Sequence, residues 1–172
     1  MRVVLKYMFW LTSIVLILSS CNNDTSKDKR KTGKISKIKL TEKPIGESGF
    51  VISIPVDYSI TTSNGPDFSV YYFSPTDTTV KDKLSVGLYF GNFPHEFEPD
   101  NDSCKTETLK GKILDAMQEW AVYNCKGNFS IQTIVENKKG EGWDQRVHAF
   151  GHAKNRGELQ TILDIYTTLR KK

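Results

Sequence analysis

The run Leu84-Ser85-Val86-Gly87-Leu88-Tyr89-Phe90 puts Leu84, Val86, Leu88 and Phe90 on one face of an extended chain. A period of two buries one face of a strand and does not bury one face of a helix. The same grammar recurs on its N-terminal side. Phe50-Val51-Ile52-Ser53-Ile54 stops at Pro55, which has no N–H to give a ladder, and Asp57-Tyr58 opens the next piece. Asn64-Gly65-Pro66 is a turn signal ahead of Phe68-Ser69-Val70-Tyr71-Tyr72-Phe73, which Ser74-Pro75 closes. These segments read as antiparallel strands.

The stretch 110–125, KGKILDAMQEWAVYNC, fits both periods, because Ile113, Met117, Trp120 and Ala121 also fall at helical spacing. Trp120, Val122 and Tyr123 favour two strands meeting near Asp115. Asn124 to Gly127 turns the chain into Phe129–Val135, Lys138 to Gly142 is a second turn, and Trp143 to Gly151 is the last strand expected. A helix is expected after it. Asn155 is placed as N-cap with Glu158 three residues on, and Leu159, Ile162, Leu163, Tyr166 and Leu169 share one helical face. Arg170-Lys171-Lys172 supply the cations that suit a helix C-terminus.

The pattern predicts an α+β sandwich, an antiparallel β-sheet of about six or seven strands covered by a C-terminal helix. Gly49-Phe50-Val51-Ile52-Ser53-Ile54-Pro55 resembles the opening strand of the PsbP-like family, and Val147-His148-Ala149-Phe150-Gly151 leading into Leu159–Leu169 resembles its closing strand and helix. The resemblance spans residues 48–170. It implies a PsbP-like domain over 48–172 that binds or stabilises partners, and no functional residue of that family maps onto this chain.

The first twenty residues carry Arg2 and Lys6, then an apolar run from Met8 to Leu18 broken by Thr12 and Ser13. A run of about 11 residues suits a processed signal peptide better than a membrane span, which needs about 20. Leu18-Ser19-Ser20-Cys21 resembles the lipobox of bacterial lipoproteins. That resemblance implies cleavage of 1–20, acyl chains on Cys21, and an anchor worth about 0.8 kcal/mol per buried methylene. Residues 21–47 then read as the lipidated cysteine and a basic, solvated tether, with Ile35, Ile38 and Leu40 marking where strand begins.

The formal charge of +4 invites a nucleic-acid reading, but the excess is local. Residues 1–43 hold ten Lys/Arg against three Asp/Glu, whereas 44–172 hold fourteen against seventeen, leaving the folded part near −3. Nucleic-acid binding therefore loses its electrostatic support. With Cys21 taken by lipid, Cys104 and Cys125 are the remaining pair. In an oxidising compartment a disulfide between them is expected, the alternative being two separate buried thiols.

Two clusters carry residue types suited to metal binding. His148 and His152 lie four apart on a strand, roughly 13 Å at about 3.3 Å per residue, too far to share one zinc ion. His95-Glu96-Phe97-Glu98-Pro99-Asp100-Asn101-Asp102 concentrates carboxylates but lacks the glycine turn and distant glutamate of a calcium loop. It reads as a solvated acidic loop. Nucleophile-elbow, Walker, HExxH and paired CxxC motifs are absent from the sequence, so no catalytic residue, metal or cofactor is assigned. Tyr71, Tyr89 and Trp120 are the candidate partner surface, provided they emerge on one uncovered face.

These readings converge on a membrane-anchored lipoprotein of the bacterial cell envelope, favouring the outer membrane or periplasmic face. Its domain is expected to be non-catalytic, binding an envelope protein partner or serving as an accessory. The alternative is an immunity or inhibitor lipoprotein that neutralises a toxin enzyme, suggested by the net negative domain and the acidic 96–102 loop.

Overall fold

The computed structural model describes residues 38–79, 84–99, 103–137 and 145–172. The leader, Cys21, the tether up to residue 37, Asp100 to Asp102, the turn at 138–142 and Trp143 lie outside them. The described elements are β1 (Leu40–Pro44), β2 (Phe50–Pro55), β3 (Tyr58–Asn64), β4 (Phe68–Pro75), β5 (Ser85–Gly91), β6 (Lys105–Ile113), β7 (Ala116–Cys125), β8 (Asn128–Glu136), β9 (Arg146–Ala153), α1 (Arg156–Tyr166) and β10 (Arg170–Lys171).

Turn chemistry sets the strand ends. The ambiguous stretch is a hairpin, β6 and β7, whose tight turn holds Leu114 and Asp115 at φ 50° and 63°. Both central residues in the left-handed region match the turns that follow strand twist. Lys126 and Gly127, at φ 56° and 91°, do the same between β7 and β8. All pairings are antiparallel, giving a seven-stranded sheet in the order β3-β4-β5-β9-β8-β7-β6 and a three-stranded sheet in the order β1-β2-β10.

The predicted helix-covered sandwich is overturned. The molecule is mainly β, with two antiparallel sheets and one short helix. The reason is one of dimensions. Seven strands at about 4.8 Å spacing make a face roughly 29 Å wide, whereas the eleven residues of α1 are about 16 Å long. One such helix leaves much of that face open. The small sheet fills the difference through β2, with Phe50, Ile52 and Ile54 in the core and the Phe50 ring 5.2 Å from Phe90 of the large sheet.

The C-terminal cations do not extend the helix either. Asn155 caps α1 by accepting from Glu158 N–H at 2.9 Å, and Thr167 is its C-cap. Leu169 stays buried beyond the helix, and Arg170 and Lys171 pair with Val51 and Phe50 as β10. At the other end, β1 and the fully buried Ile45 place the start of the fold inside the segment read as tether.

α1 is fixed to the large sheet by Tyr166. Its hydroxyl lies 2.6 Å from Gly87 O and 2.7 Å from Phe150 O, its one proton shared between them, and accepts Phe150 N–H at 3.2 Å. Cys104 and Cys125 are disulfide-bonded across the β6–β7 pair, Sγ to Sγ 2.02 Å, one step beyond the paired Lys105 and Asn124.

Candidate functional site

The small sheet and α1 close one face of the large sheet, and the opposite, outer face changes chemistry from strand to strand. On β3 it presents Ser59, Thr61 and Ser63. β4 adds Phe68, Val70, Tyr72 and Ser74, and β5 adds Gly87, Tyr89 and Gly91. None of these side chains is charged, in a chain of which 26% is.

The glycines decide how the rings lie. Phe150 reaches across from β9 into the volume a Cβ on Gly87 would fill, Tyr89 does so over Gly91, and Phe68 over Gly65. The rings therefore recline along the sheet. Phe68 and Tyr89 are 22° from parallel with centroids 5.7 Å apart, and Tyr72, 46% exposed, meets Phe150 edge-on at 6.2 Å.

Over β9 and β8 the face is covered. Phe97, from the connection between β5 and β6, packs 5.3 Å from His148, 5.4 Å from Phe150 and 6.2 Å from His152. Gln132 holds it there by accepting Phe97 N–H and donating to Phe97 O, each at 2.8 Å. The same Gln132 Oε1 lies 3.0 Å from His148 Nε2, so that nitrogen carries the hydrogen. Burial, aided by the charge of His95, pushes the 2%-exposed His148 down to about 4, and burial also lowers His152. The chain's three histidines thus share one region, with His95 and His152 lining a 320 Å³ recess beside Glu98 and Tyr123.

Ser130 Oγ lies 3.0 Å from His152 Nδ1. Nucleophilic chemistry by such a pair calls for a third group to orient the imidazole and balance its charge. Among the described residues no carboxylate hydrogen-bonds His152, and its lowered pKa weakens it as a base. No group of three or more His, Cys, Asp or Glu among the described residues is placed to hold a metal ion. His148 and His152 flank Phe97 instead of converging.

A second concavity opens where β7 and β8 part company. Their pairing ends at Ala121–Gln132, after which Ala116–Trp120 pairs with β6 and Thr133–Glu136 with β9. The resulting 610 Å³ cleft has Phe50 and Ile113 among its lining. Three of the four charges that line it are engaged: Asp115 with Lys112 at 3.0 Å, Arg170 with Glu42 at 2.7 Å, Lys171 over the Phe50 ring.

The expected partner surface does not form. Tyr71 and Trp120, 5% and 0% exposed, point into the core, whereas Tyr89 lies on the outer face. Strand parity separates them, since Tyr71 pairs with Leu88 while Tyr89 is adjacent to it. The Trp120 ring lies against Gly111 and Tyr166, and its Nε1 has no hydrogen-bond partner among the described residues. Phe68 and Phe150 were missed in the sequence. Their signal was available in Gly65 and Gly87, each of which leaves room for a ring to lie over it.

Cys21 and most of the acidic loop beyond Pro99 fall outside the described residues. Among the described residues no helix is long and apolar enough to cross a membrane. Comparison with protein-family models, curated proteins and solved structures gives no match.

Proposed function

We propose that this chain is a lipid-anchored protein of the bacterial cell envelope whose folded part is a non-catalytic binding domain working through the outer face of β3, β4 and β5. The observation that carries this reading is the uncharged, ring-bearing surface there. Depletion of charge with enrichment of aromatics marks the centre of a recognition surface, because little has to be desolvated when it is covered.

The anchor rests on Leu18-Ser19-Ser20-Cys21, and two further features support it. The Cys104–Cys125 disulfide suits a compartment outside the cytoplasm. The lysine-rich stretch after Cys21 suits an anionic headgroup surface, at about 1 kcal/mol per cation. A binding role is favoured by the use made of His148 and His152, which brace Phe97 against the sheet in their neutral forms.

Labelling with an alkyne analogue of palmitate tests the anchor. The full chain takes the label and stays with membranes, while Cys21→Ser takes none and is released; label on Cys21→Ser overturns the anchor. In-cell photo-crosslinking tests the face. A crosslinker at Tyr72 gives adducts that one at Lys110, on the outer side of β6, does not, and equal yields at both overturn the assignment.

A further inference from the structure

We infer that the outer face of β3–β5 is a stacking platform for a neutral polysaccharide, with Tyr72, Tyr89 and Phe68 as its rings and the hydroxyls of β3 as its polar fringe. The inference rests on the reading of this face as the binding surface and adds the class of ligand.

Three observations lead to it. A reclining ring offers its flat side outward, and Tyr89 and Phe68 recline because Gly91 and Gly65 leave space beneath them. The two rings stack on one another, 22° from parallel with centroids 5.7 Å apart, and Tyr72 stands exposed on β4 against Phe150. The C–H side of a sugar ring matches such a surface in shape and polarity, with dispersion and the ring quadrupole both favouring contact.

The second observation is unused hydrogen-bonding capacity. The hydroxyls of Thr61 and Ser63 on β3, and of Tyr72 and Tyr89 beside them, make no hydrogen bond among the described residues. A hydroxyl both donates and accepts, which is what a partner made of hydroxyls requires. These are short side chains or rigid rings on paired strands, so fixing them against a ligand costs little entropy.

The third is charge. An anionic polymer seeks lysine and arginine and a cationic one seeks carboxylates, and the outer positions of β3, β4 and β5 supply neither. The outer side of β6 differs, with Lys110 and Lys112 on it. The uncharged zone is confined to β3, β4 and β5, since Arg146 stands on the neighbouring β9 opposite Gly91.

The test uses the full chain in detergent and pull-down on insoluble cellulose, chitin and amylose, with heparin as the anionic control. Retention is expected on at least one neutral polysaccharide and persists in about 1 M sodium chloride, where the Debye length is roughly 3 Å. Tyr72→Ala and Tyr89→Ala each weaken it about tenfold, within the range of one aromatic contact, and Lys110→Ala leaves it unchanged. Thermal melts accompany each variant. Tyr72 is half exposed, so its variant tests the inference even if Tyr89→Ala does not fold.

Three outcomes overturn the inference: no retention on any neutral polysaccharide, retention on heparin alone that salt abolishes, or retention that Tyr72→Ala leaves intact. If Tyr72 crosslinks a protein in cells while every polysaccharide fails, the ligand class is wrong and the binding face stands. If both fail, the face itself is wrong.

Discussion

Tyr166 shows how much one atom can hold. Its hydroxyl enters between β5 and β9, relaying Phe150 N–H to Gly87 O, and full burial drives its pKa far above that of an ordinary tyrosine. Removing the oxygen leaves a buried donor and a buried acceptor without this partner. Tyr166→Phe is expected to lower unfolding free energy by about 1–3 kcal/mol, read from urea midpoints at constant slope. An unchanged midpoint would mean that the ladder closes on itself when the hydroxyl is gone. Gly87 matters on the opposite side of the same peptide, because the Phe150 ring occupies its side-chain space.

Among the elements, the β6–β7 hairpin is the most independent. It forms the far edge of the large sheet, and past Ala121 its strand β7 is no longer paired with β8. The disulfide at its open end, with a sequence separation of 21, therefore ties down a hairpin that the rest of the sheet holds over only half its length. The chain-entropy view gives about 3 kcal/mol for such a loop. Cys104→Ser/Cys125→Ser is expected to lose stability of that order and to gain amide exchange first in Ala116–Trp120. Uniform exchange across the sheet would show that the hairpin does not open separately.

For the whole molecule the histidine region makes stability depend on pH. Between an ordinary value of 6.5 and its folded value of about 4, His148 binds a proton in the unfolded chain that it refuses in the folded one. The stabilisation is present above 6.5 and is lost as pH falls toward 4, and His152 acts in the same direction. The urea midpoint is expected to be lower at about pH 4.5 than at about pH 7.5, with His148→Gln flattening that difference. A wild-type midpoint that is flat across this window would rule out a buried neutral His148. Because Phe97 packs on both rings, the connection between β5 and β6 is where acid loosening should begin.

The strands were legible in the sequence because alternation and turn chemistry act over a few residues. Leu84, Val86, Leu88 and Phe90 share the buried face they were assigned, the turn falls at Leu114-Asp115, and Asn155 caps the helix. The cover of the sheet was not legible. It joins β2 to β10 across more than a hundred residues, and nothing local marks Arg170-Lys171 as strand in preference to a helix end. The binding face was half legible. Parity alone places Tyr89 opposite Leu88, but only the order β4-β5-β9 brings Tyr72 and Phe150 to either side of Gly87. Sequence by itself determined which residues extend, where they turn and which side of each strand is apolar, since those depend on neighbours in the chain. Tertiary structure alone decided what covers each face and which rings lie together, since those depend on neighbours in space.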